Sequence, residues 1–263
     1  MIAQGGKQVF GAPIGILMLE ARFPRIPGDM GNALTWPFPV LYHVVPGASP
    51  DLVVRRGAAG LLGPFVEAGR ALIHQGAEAI TTNCGFLALF QAELLEALAV
   101  PGATSALMQV PAVQAVLPPG RRVGVLTVSA ASLSAEHLTK AGCPADTPVI
   151  GTEEGAEFSR VLLGNELALD VDAARADLIA AGRLMVDRHP EVAAIVLECT
   201  NMPPYARDVA MATGRPVFSM VDYVCWLQAG LRPRRWVAGD GPAGSSGDIW
   251  QALRPPDRGA HQP

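Results

Sequence analysis

Short aliphatic and β-branched runs alternate with amphipathic stretches from one end of the chain to the other. The runs at Ile14–Leu19, Val40–Val45, Ala79–Thr82, Ala103–Leu107, Arg122–Val128, Thr147–Ile150, Ala193–Glu198 and Pro216–Ser219 are short, and several are apolar at nearly every position. That pattern predicts strands buried on both faces. Between them, apolar residues recur at spacings of three and four over Leu52–His74, Phe86–Leu98, Val110–Val116, Ser132–Ala141, Glu157–Gly164, Asp172–Arg188 and Pro204–Thr213, which predicts helices. Strands alternating with helices make an α/β fold with parallel sheets covered by helices on both faces. Such folds bind ligands at the carboxyl ends of their strands, so the residues after each run are the ones to inspect.

Two of those ends read alike. "AITTNCGFLALFQAEL" and "AIVLECTNMPPYARDV" each run from an apolar strand into a Cys beside Thr and Asn, then into a helix start. The offset between Cys84 and Cys199 nearly equals that between Ile16 and Val125 in the first strands of the two halves, "IGILML" and "VGVLTV". Near-equal offsets for two independent features predict a duplicated unit, with a pseudo-two-fold axis that brings the cysteine-bearing strand ends together across a cleft. On this reading one lobe is residues 1–112 plus 216–240, the other is residues 113–215, and the Gly-, Pro- and Ser-rich residues 241–263 are a loop and tail.

With 263 residues, either lobe is large enough to bury a core. The net charge of −4 gives no basic field for nucleic acid or an anionic membrane, so a small molecule is the expected partner. No apolar run approaches the roughly 20 residues that span a bilayer, and the first twenty residues carry one Lys and no signal-like apolar stretch; the expectation is a cytoplasmic protein. The four cysteines, Cys84, Cys143, Cys199 and Cys225, lack C-x-x-C spacing, which speaks against a disulfide framework or a zinc site. Cys143 and Cys225 read as small core residues.

Cys84 and Cys199 read differently, because a thiol at a helix N-terminus meets unpaired N–H groups and the positive end of the helix dipole. Its pKa is expected to fall, and the same N–H groups can hold a carboxylate. Pro203 and Pro204 suit a helix start, which leaves Thr200 and Asn201 as capping or ligand-binding residues. Facing thiols at two such ends can take a proton from one side of a carbon and return one to the other. Ser129 ends the strand "RVGVLTV" and is either a ligand contact or an N-cap. His74, His137 and His189 lie near helix ends and read as surface residues, and Tyr42 and His43, adjacent in one strand, cannot both face a cleft. Glu153, Glu154 and Glu157 read as a solvated acidic turn. The chain has no G-x-x-x-x-G-K, H-E-x-x-H or G-x-S-x-G, so nucleotide hydrolase, zinc protease and serine hydrolase readings lack support.

On Cys84, Cys199 and the surrounding strand–helix pattern, the chain resembles the aspartate/glutamate/hydantoin racemase superfamily from about Gly15 to Trp226. The resemblance implies two Rossmann-like lobes with a catalytic Cys from each, no cofactor and no metal, a small carboxylate as substrate, and a homodimer. Cys199–Thr200–Asn201 matches the superfamily's second motif, with Thr200 on a carboxylate oxygen. The first motif departs: Asn83–Cys84–Gly85–Phe86 stands where amino-acid racemases read Cys-Asn-Thr. The loop "EARFPRIPGDMGNALTWPFPV" adds Arg22, Arg25, Asp29, Trp36 and Phe38. With "NCGFLALFQ" it is similar to the branch of the algal-type dimethylsulfoniopropionate lyases, where aromatic faces can serve a sulfonium. The substrate-binding set implied is Arg22, Arg25, Asp29, Asn83, Gly85, Phe86, Ser129, Thr200 and Asn201. Racemase or isomerase is the leading activity, with a lyase or decarboxylase, including an arylmalonate decarboxylase-like one, as the alternative. A non-catalytic small-acid binding protein is the reading from another class.

Overall fold

The computed structural model describes residues 2–233. The first sheet holds β1 (Ile14–Leu19), β2 (Val40–Val45), β3 (Ala79–Thr82) and β4 (Gly102–Ala103), all parallel, in the order β2-β1-β3-β4. The second holds β5 (Arg122–Thr127), β6 (Val149–Gly151), β7 (Val192–Leu197) and β8 (Val217–Phe218) in the matching order β6-β5-β7-β8, also parallel. Each order reverses direction between its first and third strands, and that switch point is where an open parallel sheet leaves a crevice. Cys84 follows β3 and Cys199 lies two residues beyond β7, so both sit at switch points.

The duplication is visible in the packing. Gly15 in β1 leaves no room for a side chain, because a Cβ there would lie 2.9 Å from Ile80 Cδ1 and 3.1 Å from Leu72 Cβ. Gly124, its counterpart in β5, is closed off in the same way by Met185 Sδ at 2.7 Å. Leu72 belongs to α2 (Leu62–Gln75) and Met185 to α7 (Val171–Arg188), the long helices laid against the two sheets. The backbone repeats as well: Asn83 N–H donates to the Leu17 carbonyl at 3.0 Å, and Glu198 N–H to the Leu126 carbonyl at 2.8 Å.

Several elements differ from the sequence expectation. The helix expected over Leu52–His74 is two, α1 (Pro50–Arg55) and α2, because Gly57, Ala58 and Gly60 between them take positive φ. The strand expected over Ala103–Leu107 stops at Ala103, since the Ser105 hydroxyl accepts from Leu107 N–H and starts a 3-10 turn, Ala106–Gln109. The remaining helices are α3 (Gln91–Leu98), α4 (Val110–Ala115), α5 (Ala135–Lys140), α6 (Phe158–Gly164), α8 (Ala206–Thr213) and α9 (Met220–Leu231). The segment from Pro216, assigned above to the first lobe, first adds the edge strand β8 beside β7. The chain then touches the first lobe, where Gln109 Nε2 donates to the Ser219 carbonyl at 2.8 Å just before α9. The expected tail, residues 241–263, and residues 234–240 lie outside the described residues. Among the described residues no helix is long and apolar enough to cross a membrane.

Candidate active site

The two cysteine-bearing turns are joined across the lobes. The Thr200 hydroxyl donates to the Asn83 carbonyl, and Met30 N–H donates to the Thr200 carbonyl at 3.4 Å. Each turn leads into a 3-10 segment, Gly85–Phe90 after Cys84 and Pro203–Tyr205 after Cys199, before the α-helix proper. Cys84 is the extended N-cap residue of the first segment, at φ −151° and ψ 117°.

One cavity lies between these turns, lined by Cys84 and Cys199 together with Asn83, Gly85, Phe86, Thr200 and Asn201. Seven of the residues singled out from sequence therefore meet in one place. Most of the remaining wall is apolar: Leu19, Phe23, Pro50, Val54, Val128, Leu162 and Leu163. About 30 Å³ is left, room for a water or two, so an acid of several heavy atoms enters only when the walls part. Pro50 and Val54 come from α1 and Leu162 and Leu163 from α6, helices of opposite lobes that pack together over the cavity.

Four predicted residues stand elsewhere. Arg22 is exposed, and its backbone N–H donates to Asn165 Oδ1 at 2.6 Å. Arg25 pairs with Asp29 at 3.0 Å and lies over the Phe23 ring at 4.7 Å. Asp29 is buried behind the site, where its Oδ2 accepts from Asn201 Nδ2. This pair thus orients Asn201, whose Oδ1 accepts weakly from Cys199 Sγ at 3.5 Å. Ser129 turns away to donate to Ser132 Oγ at 3.0 Å within a turn, the N-cap of the following helix being Ser134, and Val128 takes its place in the wall. Trp36 and Phe38 pack on each other at 5.7 Å, and Trp36 Nε1 donates to Tyr42 Oη at 2.9 Å, so the aromatic loop residues brace the loop while Phe23 and Phe86 face the cavity.

His137 is not a surface residue. It is buried, shares reciprocal capping bonds with Ser134, and stands edge-on to Phe86 at 5.2 Å, supporting that wall from behind. Cys143 is buried as expected, whereas Cys225 on α9 is only half-buried.

The residue that sequence reading passed over is Glu198, taken there as a strand end. Its side chain is wholly buried and lines the cavity. Oε2 accepts from the Thr127 hydroxyl at 2.7 Å, and Oε1 has no partner among the described residues. Its location explains Gly85: a Cβ at that position would lie 2.1 Å from Glu198 Oε1 and 2.5 Å from the Glu198 carbonyl. Across the site, Asn83 Oδ1 accepts from Leu19 N–H at 2.7 Å while its Nδ2 is buried without a partner among the described residues. A free donor and a free acceptor thus remain on side chains of one small, mostly apolar cavity.

The thiols do not have the lowered pKa expected from their positions. Burial drives Cys84 up to about 12, the Glu198 charge adds to the rise, and the Phe86 N–H and the Arg25 charge pull it down less. Burial likewise holds Cys199 well above the usual thiol range, again reinforced by Glu198. Removal from water outweighs the few N–H groups of a short 3-10 turn. Burial also raises Glu198, to about 7, against the lowering effect of the Thr127 hydroxyl.

No family model matches the chain. It is 28% identical over 222 residues to a dimethylsulfoniopropionate lyase of Durusdinium sp. clade D, spanning 80% of this chain and 72% of that one. It is 31% identical over 227 residues to dimethylsulfoniopropionate lyase 6 of Emiliania huxleyi, across 79% of this chain but only 57% of the relative's length. Among solved structures, a glycine-to-cysteine variant of arylmalonate decarboxylase in its sulfate-associated form matches with a TM-score of 0.58 at 17% identity, covering 86% of this chain and 96% of that one. A glutamate racemase of Bacillus anthracis matches with a TM-score of 0.54 at 16% identity, covering 84% and 81%. These structural matches establish the shared two-lobed fold. By fold the chain is similar to arylmalonate decarboxylase and glutamate racemase, and by sequence it is similar to the dimethylsulfoniopropionate lyases.

Proposed function

We propose that this chain is a carbon–sulfur lyase acting on a small sulfonium carboxylate, with dimethylsulfoniopropionate as the reference substrate. The observation that carries the reading is the cavity's make-up: two thiols, one free buried amide donor on Asn83, one buried carboxyl on Glu198, and otherwise mostly apolar walls with no Lys, Arg or His among the lining residues. An ammonium substrate needs several hydrogen-bond acceptors, and the side chains here offer few. A dimethylsulfonium needs none; its methyl groups pack on aliphatic walls and its charge is met by aromatic faces such as Phe23 and Phe86. The lyase relatives support the same choice.

In this reading the Cys84 thiolate takes the proton from the carbon next to the carboxylate. The C–H bond breaks and an S–H bond forms, and the electron pair moves into the carboxylate as an enediolate, to which Asn83 Nδ2 donates. Its collapse forms the C=C bond and breaks the C–S bond, so that neutral dimethyl sulfide leaves with the electron pair and acrylate remains.

The racemase reading is favoured by a separate observation, the second thiol. Cys199 occupies the pseudo-equivalent strand end and would return a proton to the opposite face. The two separate cleanly: incubation with dimethylsulfoniopropionate should release dimethyl sulfide and acrylate in equal amounts, followed by headspace chromatography. No sulfide release, together with solvent deuterium entering the α carbon of a recovered chiral acid, would replace the lyase by a racemase. Neither signal would favour the binding protein.

A further inference from the structure

A buried carboxyl oxygen without a partner is costly, and it marks a place where a proton or a ligand arrives during function. Glu198 Oε1 is such an atom, on a side chain that is wholly buried and borders the same cavity as both thiols. The space it occupies is kept open from the other lobe, since any side chain at Gly85 would collide with it. The carboxyl therefore rests on the turn that carries Cys84, although its own neighbour in sequence is Cys199.

We propose that Glu198 accepts the proton of the Cys84 thiol, so that the reactive thiolate forms beside a neutral carboxylic acid instead of beside a carboxylate. In this exchange, relayed by a water in the cavity because Oε1 has no direct partner among the described residues, the Cys84 S–H bond breaks and an O–H bond forms on Glu198 Oε1, and the deprotonated site carries one negative charge before and after. Glu198 acts through the thiol and is a positioning residue in that sense. The later removal of a carbon-bound proton rests on the function proposed above; the exchange between Glu198 and Cys84 does not.

The surrounding charges agree with this assignment. Burial places Glu198 at about 7, below both thiols, so the carboxyl is the first of the three to release its proton as pH rises and stands ready as the base, with the thiolate–acid form its minor, reactive partner. The influences on Glu198 itself are burial and the Thr127 hydroxyl on the adjacent strand β5. The nearest charged pair divides between the thiols: Arg25 lowers Cys84, and Asp29 raises Cys199. Cys84 is accordingly the thiol that the site prefers to ionise.

The test uses the full chain without substrate. The rate of Cys84 alkylation by iodoacetamide, read by peptide mass spectrometry, is followed from pH 5 to pH 10. The wild-type rate should show a step near neutral pH, where Glu198 ionises and the minor thiolate–acid form reaches its limit, followed by a second rise as the thiol itself ionises. In E198Q the step should vanish, leaving one continuous rise that follows the thiol alone. In T127V the step should move to higher pH, because the hydroxyl that favours the carboxylate is gone. A wild-type profile without the step, or a step that persists in E198Q, overturns the proposal. Should E198Q fail to fold, T127V decides: a displaced step supports the proposal and an unmoved step overturns it. On any substrate the chain turns over, E198Q should lose about 100-fold in kcat with the acidic limb of its pH profile. If dimethylsulfoniopropionate proves inert, the alkylation step still stands or falls by itself, so the two failures are distinguishable.

Discussion

The two cysteine turns sit at equivalent strand ends but differ in content, and each completes the other. Before the cysteine stands Asn83 in one lobe and Glu198 in the other; after it stand Gly85 and Thr200. Each leading residue meets the other lobe's trailing residue: the Thr200 hydroxyl donates to the Asn83 carbonyl, and the Glu198 carboxyl fills the space Gly85 leaves. Duplication supplies the symmetric frame, and the departures from symmetry put an amide donor on one side of the cavity and a titratable acid on the other. A symmetric pair of thiols suits proton removal and return, whereas this asymmetric pair suits removal at one preferred thiol.

The largest expected effect tests that asymmetry directly. Cys84→Ser should lower turnover about 1,000-fold, on the order of 4 kcal/mol of barrier, and Cys199→Ser should cost about tenfold. Steady-state rates with the same substrate check this; equal losses would restore the symmetric, two-base picture.

Next comes the cost of keeping the acid buried. The folded pKa of Glu198, about 7, lies above its ordinary 4.5, so folding favours the protonated form. Its burial is unpenalised below about pH 4.5, and stability is lost as pH rises through about 7, by on the order of 3 kcal/mol. Urea unfolding across that window should show the loss in wild type and a flatter profile for E198Q; parallel profiles would mean that Glu198 is charged at low pH as well.

The two trailing positions give smaller effects of unequal size. Gly85→Ala should destabilise by about 1–3 kcal/mol, because its methyl group meets both the carboxyl and the backbone carbonyl of Glu198. Removing the carboxyl as well, in a Gly85→Ala/Glu198→Ala double variant, should recover only part of that loss, since the carbonyl clash remains. Thr200→Val should cost about 1 kcal/mol, for the single hydrogen bond to the Asn83 carbonyl. Denaturation midpoints measure all three, and a Thr200→Val loss exceeding that of Gly85→Ala would reverse the ranking of the two contacts.

Much of this was legible in the sequence wherever the signal is local. The runs of β1 and β3 give their boundaries because these central parallel strands are buried on both faces, whereas β2 is a half-exposed edge strand, legible from its aliphatic and β-branched residues alone. The cysteine pair was legible because a duplicated strand end repeats its chemistry. Glu198 was not, although an acid closing the buried run "IVL" was itself a sign: its meaning depends on Gly85, contributed by the other lobe. The thiol pKa failed for a related reason, since a helix-start argument counts nearby N–H groups while burial is set by the whole fold. Helix α9 went unread even though Ser219-x-x-Asp222 is a capping pattern; in the fold Asp222 Oδ2 accepts from both the Ser219 N–H and its hydroxyl.

The Gly85–Glu198 contact also couples change at the two positions. A side chain at 85 and a carboxyl at 198 exclude each other, so the two cannot be gained independently, and a side chain regained at 85 requires both the loss of the acid and a shift of the backbone carbonyl at 198. For an engineer seeking new substrates on this scaffold, the two positions form a single locus: libraries that introduce side chains at 85 while keeping the acid at 198 sample broken combinations, and only joint variation reaches the alternatives.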